Sequence, residues 1–282
     1  MKDEGPQCQQ VGVLAESEQL VEHLVIAVRS SPKYRQVCAE AVRNVGAREL
    51  AGHRNLKEAI KATKNKLHQV GAAYLPARMH YEQWLEELRY AVCSGESDLR
   101  TTCLRIMGHH ASTRERLPIL ERFYLTTLGE IGPVHSVLDV ACGLNPLAIP
   151  WMGLQPGAAY FAYDMYEDLM AFLGGFLSLI GRPGKAETRD VLYGLPSEAV
   201  DVAYLLKAIP CLEQLDKSAG PRLLEAIRAR HLLVSFPVAS LGGRDRHMVA
   251  NYEARFRELV GGKGWAVQRF AFESELAFLV SR

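Results

Sequence analysis

VLDVACGLNP, residues 137–146, is the stretch that decides the fold of this chain. An apolar run there ends in Asp139 and is followed by a turn that contains one glycine, Gly143. Nucleotide-binding α/β sheets place this pattern at the carboxyl end of their first strand. Two further acids, Asp164 and Asp190, follow at spacings of 25 and 26 residues, which is one strand plus one helix each time. The chain is therefore predicted to bind a nucleoside derivative.

Apolar runs alternate with helical segments after Pro133, which predicts a parallel sheet. The predicted strands cover residues 135–141, 158–163, 185–189, 200–206 and 231–236. Two last strands, residues 265–270 and 275–280, are too close for a crossover helix and are expected to form an antiparallel hairpin at one edge. A parallel sheet closed by an antiparallel final strand is the α/β, Rossmann-like arrangement of S-adenosylmethionine methyltransferases, by analogy of fold alone.

The loop after Asp139 favours S-adenosylmethionine over a dinucleotide. It lacks the G-x-G-x-x-G pattern that a pyrophosphate needs, and S-adenosylmethionine carries no phosphate. The competing interpretation is an ordinary strand-to-helix turn, with Asn145 as the N-cap and Pro146 at the first helical position.

Asp164 and Asp190 are the acids predicted to bind the nucleoside. The carboxylate of Asp164, after the second strand, is expected to accept hydrogen bonds from both ribose hydroxyls. The competing role for Asp164 is a plain N-cap of the helix after Tyr166. Asp190 and Val191 are expected to border the adenine.

HASTRERLP, residues 110–118, is predicted to open a helix, with Ser112 or Thr113 as its N-cap. Cations in a first helical turn oppose the helix dipole unless one of them binds an anion. Arg116 or Arg114 is therefore expected to hold the carboxylate of the cofactor's methionyl group.

The first part of the chain is predicted to be helical and locally basic. No period-2 alternation interrupts residues 16–132, and residues 43–78 hold eight Lys/Arg against two Asp/Glu. In a helix expected from residue 55 to 70, the basic residues form a stripe that suits phosphates as well as water. We predict a helical, RNA-docking domain over residues 1–108 and a methyltransferase domain over residues 109–282. The candidate RNA-binding side chains are Arg54, Lys57, Lys61, Lys64, Lys66 and His68.

Composition and charge exclude several classes of protein. The net charge is +1, and 48% of the residues are hydrophobic, as in a globular protein with a buried core. The six cysteines lack C-x-x-C spacing, so neither a zinc site nor a disulfide scaffold is indicated. No apolar run is long enough to cross a bilayer, and the N-terminus lacks the core of a signal peptide. We expect a cytoplasmic protein with neither a metal nor a membrane segment.

LLKAIPCLE, residues 205–213, follows the fourth strand, where methyltransferases place the groups that handle the target. The Asn/Asp-Pro-Pro-aromatic clamp used for exocyclic amines is absent, which disfavours adenine N6 and guanine N2. The pair Pro210-Cys211 leaves open an attack on cytosine C5 by a thiolate, although a lone cysteine is more often an inert hydrophobe. Residues 240–252 are either a solvated glycine loop or a second phosphate-binding patch.

Several long motifs, taken in order, resemble the aminoglycoside-resistance 16S rRNA (guanine-N7) methyltransferases of the Arm type. The motifs are KLHQVGAAYL (66–75), HASTRERLP (110–118), VLDVACGLNPLAIPWM (137–152), YDMY around Asp164, LLKAIPCLE (205–213) and SFPVASLGGRDRHMVANYEARF (235–256). The resemblance covers nearly the whole chain. It implies methylation by S-adenosylmethionine of N7 of guanine 1405 in the 16S rRNA of the assembled 30S subunit. It also implies resistance to 4,6-disubstituted 2-deoxystreptamine drugs. We expect the enzyme to be a monomer.

The resemblance also implies roles for individual residues. Arg116 resembles the arginine that holds the cofactor carboxylate, and Asp164 resembles the acid that binds the ribose. The cofactor set is completed by Ala141, Gly143, Asp190, Val191 and Leu206. The target-facing set is Lys207, Met248 and Tyr252 as catalytic residues, and Arg244 and Arg246 as rRNA-binding residues. Two alternatives remain, namely a methyltransferase of another rRNA base or of a small molecule, and a non-catalytic rRNA-binding relative.

Overall fold

The computed structural model describes residues 6–72, 79–240, 243–244 and 246–282 of the chain. Backbone contacts divide the chain into two compact units, Met1–Ala73 and Tyr74–Arg282. The boundary between the units thus lies after Ala73, whereas the sequence predicted a domain boundary after residue 108.

The first unit contains three packed α-helices among its described residues. They are α1 (Pro6–Arg29), α2 (Ala39–Gly52) and α3 (Leu56–Leu67). Helix α3 begins where the Asn55 side chain accepts a hydrogen bond from the backbone N–H of Glu58 at 3.0 Å. The α-helical part ends at Leu67, before the predicted residue 70, because the chain continues as a π-helical turn over His68–Ala72.

Two helices that were expected in the N-terminal domain belong to the second unit. They are α4 (Tyr81–Ser94) and α5 (Glu96–Met107), and α4 packs on α8 (Glu167–Leu179). The physical reason is their apolar side chains: Trp84 and Leu88 of α4 are buried, and the ring of Tyr81 stacks on Phe172 of α8 at 5.1 Å. These contacts hold α4 against α8, and α5 in turn packs on α4.

Seven strands of the described residues form one mixed sheet in the order β3-β2-β1-β4-β5-β9-β8. Strands β1 to β5 are parallel, whereas β9 runs antiparallel to both β5 and β8. The expected antiparallel hairpin at one sheet edge is therefore present. The strands are β1 (Ser136–Val140), β2 (Ala159–Asp164), β3 (Gly184–Thr188), β4 (Val200–Leu206), β5 (Ala229–Pro237), β8 (Ala266–Ala271) and β9 (Glu275–Ser281). A separate two-stranded hairpin consists of β6 (Ala239–Ser240) and β7 (Gly243–Arg244).

Helices cover the sheet and bury its central strands. The remaining ones are α6 (Ala111–Arg116), α7 (Leu120–Leu128), α9 (Ala208–Leu215), α10 (Ala219–Ala226) and α11 (Arg246–Val260). Short 3₁₀ turns occupy Leu117–Ile119 and Asn145–Trp151. The central strands are apolar on both faces, as parallel strands with helices on each side require. Within the described part of the chain, no helix is long and apolar enough to span a membrane.

Candidate functional site

The turn after β1 and the acid after β2 form the centre of the candidate site. The backbone turns through positive φ angles at Ala141 (53°) and Gly143 (51°). The Asp164 carboxylate accepts hydrogen bonds from the backbone N–H groups of Gly143, at 3.0 Å, and Met165, at 2.7 Å. Burial raises the pKa of Asp164, while these backbone bonds act in the opposite direction. The carboxylate is thereby held beside the turn. It keeps lone pairs that could accept hydrogen bonds from ribose hydroxyls.

The competing role of Asp164 as an N-cap does not match the structure. Helix α8 begins at Glu167 with Tyr166 as its N-cap, and no side chain caps it. The carboxylate of Asp164 instead bonds the turn after β1, which a helix cap would not do. The position of the acid is therefore explained by the turn and not by the helix.

Asp139 is buried behind the turn and does not reach its surface. Its carboxylate accepts hydrogen bonds from Asn145 Nδ2 at 2.9 Å and from the Tyr160 hydroxyl at 2.6 Å. Burial raises the pKa of Asp139 to about 7, although both of these bonds act in the opposite direction. Asn145 was a candidate N-cap, but its side chain makes no cap bond; it joins the turn to the core. Asp139 thus anchors the turn from inside.

Helix α6 begins earlier than predicted. Its N-cap residue is His110, so neither Ser112 nor Thr113 caps it. The Thr113 hydroxyl instead donates to the Met107 carbonyl at 2.6 Å and the His110 carbonyl at 3.1 Å. The first bond ties α6 to the last residue of α5, and the second lies within the first turn of α6.

Arg116 is the most buried cation of the site, with only 1% of its surface exposed. Its Nε and Nη2 atoms donate to the two carboxylate oxygens of Glu275 at 2.9 and 2.6 Å, and Nη1 donates to Asn145 Oδ1 at 2.8 Å. Three of the five guanidinium N–H groups are used in this way. The expected cofactor carboxylate would therefore share Arg116 with a protein carboxylate that the sequence did not reveal. Glu275 opens the otherwise apolar strand β9, and an acid in such a run was the available signal.

Glu275 balances two buried cations. It is completely buried at the start of β9, and burial alone would raise its pKa. Arg116 and Lys207, together with a hydrogen bond from Ser235, instead hold the pKa of Glu275 below its usual range. The carboxylate is thus charged at neutral pH and fixes Arg116 in place.

Lys207 does not point out of the site towards a target base. Its backbone is left-handed, with φ 58°, and its side chain is 6% exposed. The ammonium donates to Glu115 at 2.8 Å and to the Ser112 carbonyl at 3.2 Å, and lies 3.5 Å from Glu275. A strained non-glycine residue is held in this way at the end of β4, as is common at functional sites. The side chain of Lys207 thus joins α6 to the sheet in this structure, and its contact with a target base stays a prediction.

Three predicted cofactor residues are mostly buried. The Asp190 carboxylate accepts a hydrogen bond from the backbone N–H of Leu192 at 3.0 Å and so shapes the turn after β3. Val191 packs within the hydrophobic core, and Leu206 at the end of β4 is 8% exposed. Their contacts with an adenosine remain predictions.

The target-facing candidates on α11 lie one turn apart. Met248 and Tyr252 are both partly exposed, and the Tyr252 ring stacks on Phe236 at 5.0 Å. The thiol of Cys211 lies 3.6 Å from the Lys207 carbonyl, within α9. Burial raises the pKa of Tyr252, and proximity to Cys211 adds to this rise. The side chains of Arg244 and Arg246 lie outside the described residues.

The basic residues of α3 are only partly available to a polyanion. Arg54, Lys57, Lys61 and His68 are exposed. Lys64 instead donates to the Ser31 hydroxyl at 2.6 Å, and Lys66 is half-buried with a partner of its own. The free part of the predicted basic stripe is therefore narrower than the sequence suggested.

His110 is a site residue that the sequence interpretation missed. A Cβ atom added to Gly143 would lie 3.0 Å from two atoms of the His110 ring, so the ring fills the space beside the turn. Burial and the nearby Lys207, Arg116 and Arg114 lower the pKa of His110 to about 4. A neutral imidazole thus lies against the turn at neutral pH.

Replacing Gly143 with alanine is expected to weaken cofactor binding roughly tenfold, because the new Cβ displaces His110 in addition to straining the backbone by about 1–2 kcal/mol. Gly153→Ala is the matched control, since Gly153 has φ +60° but open space around its Cβ position. We expect both variants to lose similar stability in urea titrations and only Gly143→Ala to lose affinity for S-adenosylhomocysteine in calorimetry. Equal affinities would contradict the assigned packing of His110.

These residues fit S-adenosylmethionine better than a metal. An acid suited to ribose, a glycine turn without a phosphate cradle and a buried arginine lie at neighbouring strand ends. Among the described residues, no cluster of His, Cys, Asp or Glu has the arrangement of a metal site.

Comparisons with known proteins agree with this geometry. Residues 29–279 match the family described as "Ribosomal RNA methyltransferase (FmrO)". A protein of Frankia casuarinae named 16S rRNA (guanine(1405)-N(7))-methyltransferase is 38% identical over 269 residues, which cover 94% of this chain and 95% of the relative. One of Micromonospora rosea with the same name is 33% identical, with coverages of 93% and 97%. The solved structure of the 16S rRNA methyltransferase RmtF in complex with S-adenosyl-L-homocysteine has a TM-score of 0.78 and 30% identity, covering 93% of this chain and 98% of RmtF.

Proposed function

This chain belongs to the FmrO family of ribosomal RNA methyltransferases, and we propose that it transfers the methyl group of S-adenosylmethionine to N7 of guanine 1405 in 16S rRNA. The observation that carries the proposal is the Asp164 carboxylate at the end of β2, bonded to the turn after β1. Support comes from relatives that are named for this activity and match more than nine-tenths of the chain, and from the S-adenosyl-L-homocysteine in the RmtF structure.

The chemistry at N7 requires orientation more than proton transfer. Guanine N7 has an in-plane lone pair and no proton to lose, so no residue has to act as a general base. S-adenosylmethionine, when bound, supplies an electrophilic sulfonium methyl group. Asp164 would hold the ribose and Arg116 the methionyl carboxylate, so that residues of separate elements would position the cofactor. The thiolate mechanism through Cys211 is not needed for this reaction.

The proposed substrate is the assembled 30S subunit. N7 lies in the deep major groove of A-form RNA, which side chains do not enter, so the base has to be flipped or the helix distorted. Contacts with phosphates elsewhere offset the cost of that distortion. The exposed basic side chains of α3 would supply part of these contacts. The proposed enzyme acts as a monomer in the cytoplasm. A ribosome that it has methylated resists 4,6-disubstituted 2-deoxystreptamine drugs.

Reversing Lys57 and Lys61 to glutamate is expected to weaken 30S binding about tenfold or more, and to reduce the slope of log K against log salt by up to about 0.9 per lost phosphate contact. Affinity for S-adenosylhomocysteine should stay near wild type, because both lysines are exposed residues of the first unit. The matched control is the double variant Lys217→Glu, Arg228→Glu, which reverses two exposed charges in the second unit. Equal losses in both variants would refute a specific role for α3.

The proposed activity is tested by transfer from tritiated S-adenosylmethionine to purified 30S subunits, 50S subunits, protein-free 16S rRNA and free kanamycin. We expect label in 30S subunits alone. Label in the free drug or in 50S subunits would favour a different methyltransferase. No label in any substrate, with cofactor binding intact, would favour a non-catalytic rRNA-binding protein.

A further inference from the structure

Helix α6 carries two arginines with opposite surroundings. Arg114 and Arg116 are two positions apart, which is about 200° around an α-helix. Arg116 points into the protein and is 1% exposed, whereas Arg114 is exposed to solvent. The two cations therefore serve different sides of the same short helix.

Helix α6 lies at the carboxyl edge of the sheet. The Ser112 carbonyl and the Glu115 carboxylate bind the ammonium of Lys207, which directly follows β4. Arg116 reaches Glu275, which pairs with Pro237 at the end of β5. Ligands of parallel α/β sheets bind at this edge. Arg114 follows His110 by one helical turn, and the His110 ring lies beside Gly143, so Arg114 stands near the turn after β1, at the entrance of the candidate site.

The charges on the inner side of α6 neutralise one another. Arg116 and Lys207 are matched by Glu115 and Glu275, all within one ion-paired network. Arg114 is outside this network, and no acid of the described chain pairs with it. Its charge is close enough to contribute to the lowered pKa of His110 beside the turn. Arg114 is therefore an uncompensated positive charge among the described residues at the entrance.

Arginines of the neighbouring helices, unlike Arg114, form ion pairs with acids. Arg105 of α5 pairs with Glu87, Arg122 of α7 pairs with Glu273, and each of these contacts is a direct ion pair. Arg100 likewise pairs with Glu96 at 3.0 Å. An arginine left without an acid at the site entrance is suited to an anion that arrives with the substrate.

We infer that Arg114 binds a backbone phosphate beside the target guanosine and so positions the nucleotide over the cofactor site. The inference rests on the proposed function and deepens it. A guanidinium presents a planar fork that matches two phosphate oxygens, which gives direction as well as charge. Lys207 is turned inward and does not supply this contact.

The test compares Arg114→Gln, Arg114→Glu and Arg114→Lys with wild type. We expect Arg114→Gln to lower kcat/KM for 30S methylation about tenfold and to reduce its salt dependence by about one phosphate contact. Arg114→Glu should lose more, and Arg114→Lys should recover part of the loss because it keeps the charge. Affinity for S-adenosylhomocysteine in calorimetry should equal that of wild type in all three. Arg228→Glu, an exposed arginine next to the amino end of β5, is the matched control and should leave methylation unchanged.

Two results would overturn the inference. One is wild-type kcat/KM and salt dependence in Arg114→Gln, and the other is a loss of S-adenosylhomocysteine affinity that accounts for the loss of activity. Thermal unfolding of each variant reports folding separately. Failure of the proposed function is distinguishable, because the wild-type enzyme itself would then leave 30S subunits unmethylated.

Discussion

Replacing Asp164 with alanine raises the Kd of S-adenosylhomocysteine by about 100-fold or more, and methylation of 30S subunits falls below detection. The expected size follows from two hydrogen bonds between ribose hydroxyls and a charged carboxylate, each contributing about 1.5–3 kcal/mol. The substitution also removes the acceptor for the backbone N–H of Gly143, so that the turn loses its outer support. Isothermal calorimetry measures the affinity, and filter binding of tritiated 30S subunits measures the activity.

Two variants separate this role from a general loss of charge. Asp164→Asn keeps one acceptor oxygen and is expected to retain more affinity than Asp164→Ala. Asp168→Asn is the matched control, because Asp168 is a partly exposed acid in the first turn of α8 whose Oδ1 accepts from the backbone N–H of Leu169. It should bind S-adenosylhomocysteine within about threefold of wild type, because its carboxylate bonds its own helix rather than the turn after β1, although it lies close enough to raise the pKa of Asp164. Similar affinities for Asp164→Ala and wild type would refute the assignment of the ribose site.

The second large effect concerns stability. Glu275→Gln is expected to lower the free energy of unfolding by about 3–5 kcal/mol, because it leaves Arg116 and Lys207 with too little negative charge in a buried network. Equilibrium urea unfolding, followed by tryptophan fluorescence, measures the loss. Activity should fall as well, since the orientation of Arg116 depends on its bonds to both oxygens of Glu275.

The control for the stability effect lies two residues earlier. Glu273 forms an exposed ion pair with Arg122, and Glu273→Gln should leave the urea midpoint near that of wild type. Adding Arg116→Met to Glu275→Gln should cost less than the sum of the single losses, because the double variant no longer buries an uncompensated guanidinium. Additive losses would mean that Arg116 and Glu275 do not interact as a pair.

The fold was largely predictable because its signals are local. Buried parallel strands need short continuous apolar runs, and the predicted strands end within two residues of the observed ones. The short link before β9 likewise forces an antiparallel hairpin. The position of Asp164 followed from the same pattern, because the pattern predicts where the second strand of such a sheet ends.

The rest of the site depends on contacts between distant residues. Glu275 and Arg116 are 159 positions apart, and nothing in the sequence near either residue indicates its partner. Lys207 looked available for the target, but its left-handed backbone turns the ammonium towards Glu115. Similarly, the sequence of α4 has the pattern of one more helix of an N-terminal bundle. Its place in the second unit depends on the burial of Trp84 and Leu88, which the sequence does not show.

The most direct test of the central claim is to map the methylated base. 30S subunits treated with the enzyme are reduced with borohydride, cleaved with aniline at 7-methylguanosine and read by primer extension. The account predicts one new stop, at guanine 1405 of 16S rRNA, that is absent after treatment with Asp164→Ala. A stop at another guanine, or incorporated methyl groups without any aniline-sensitive site, would contradict it.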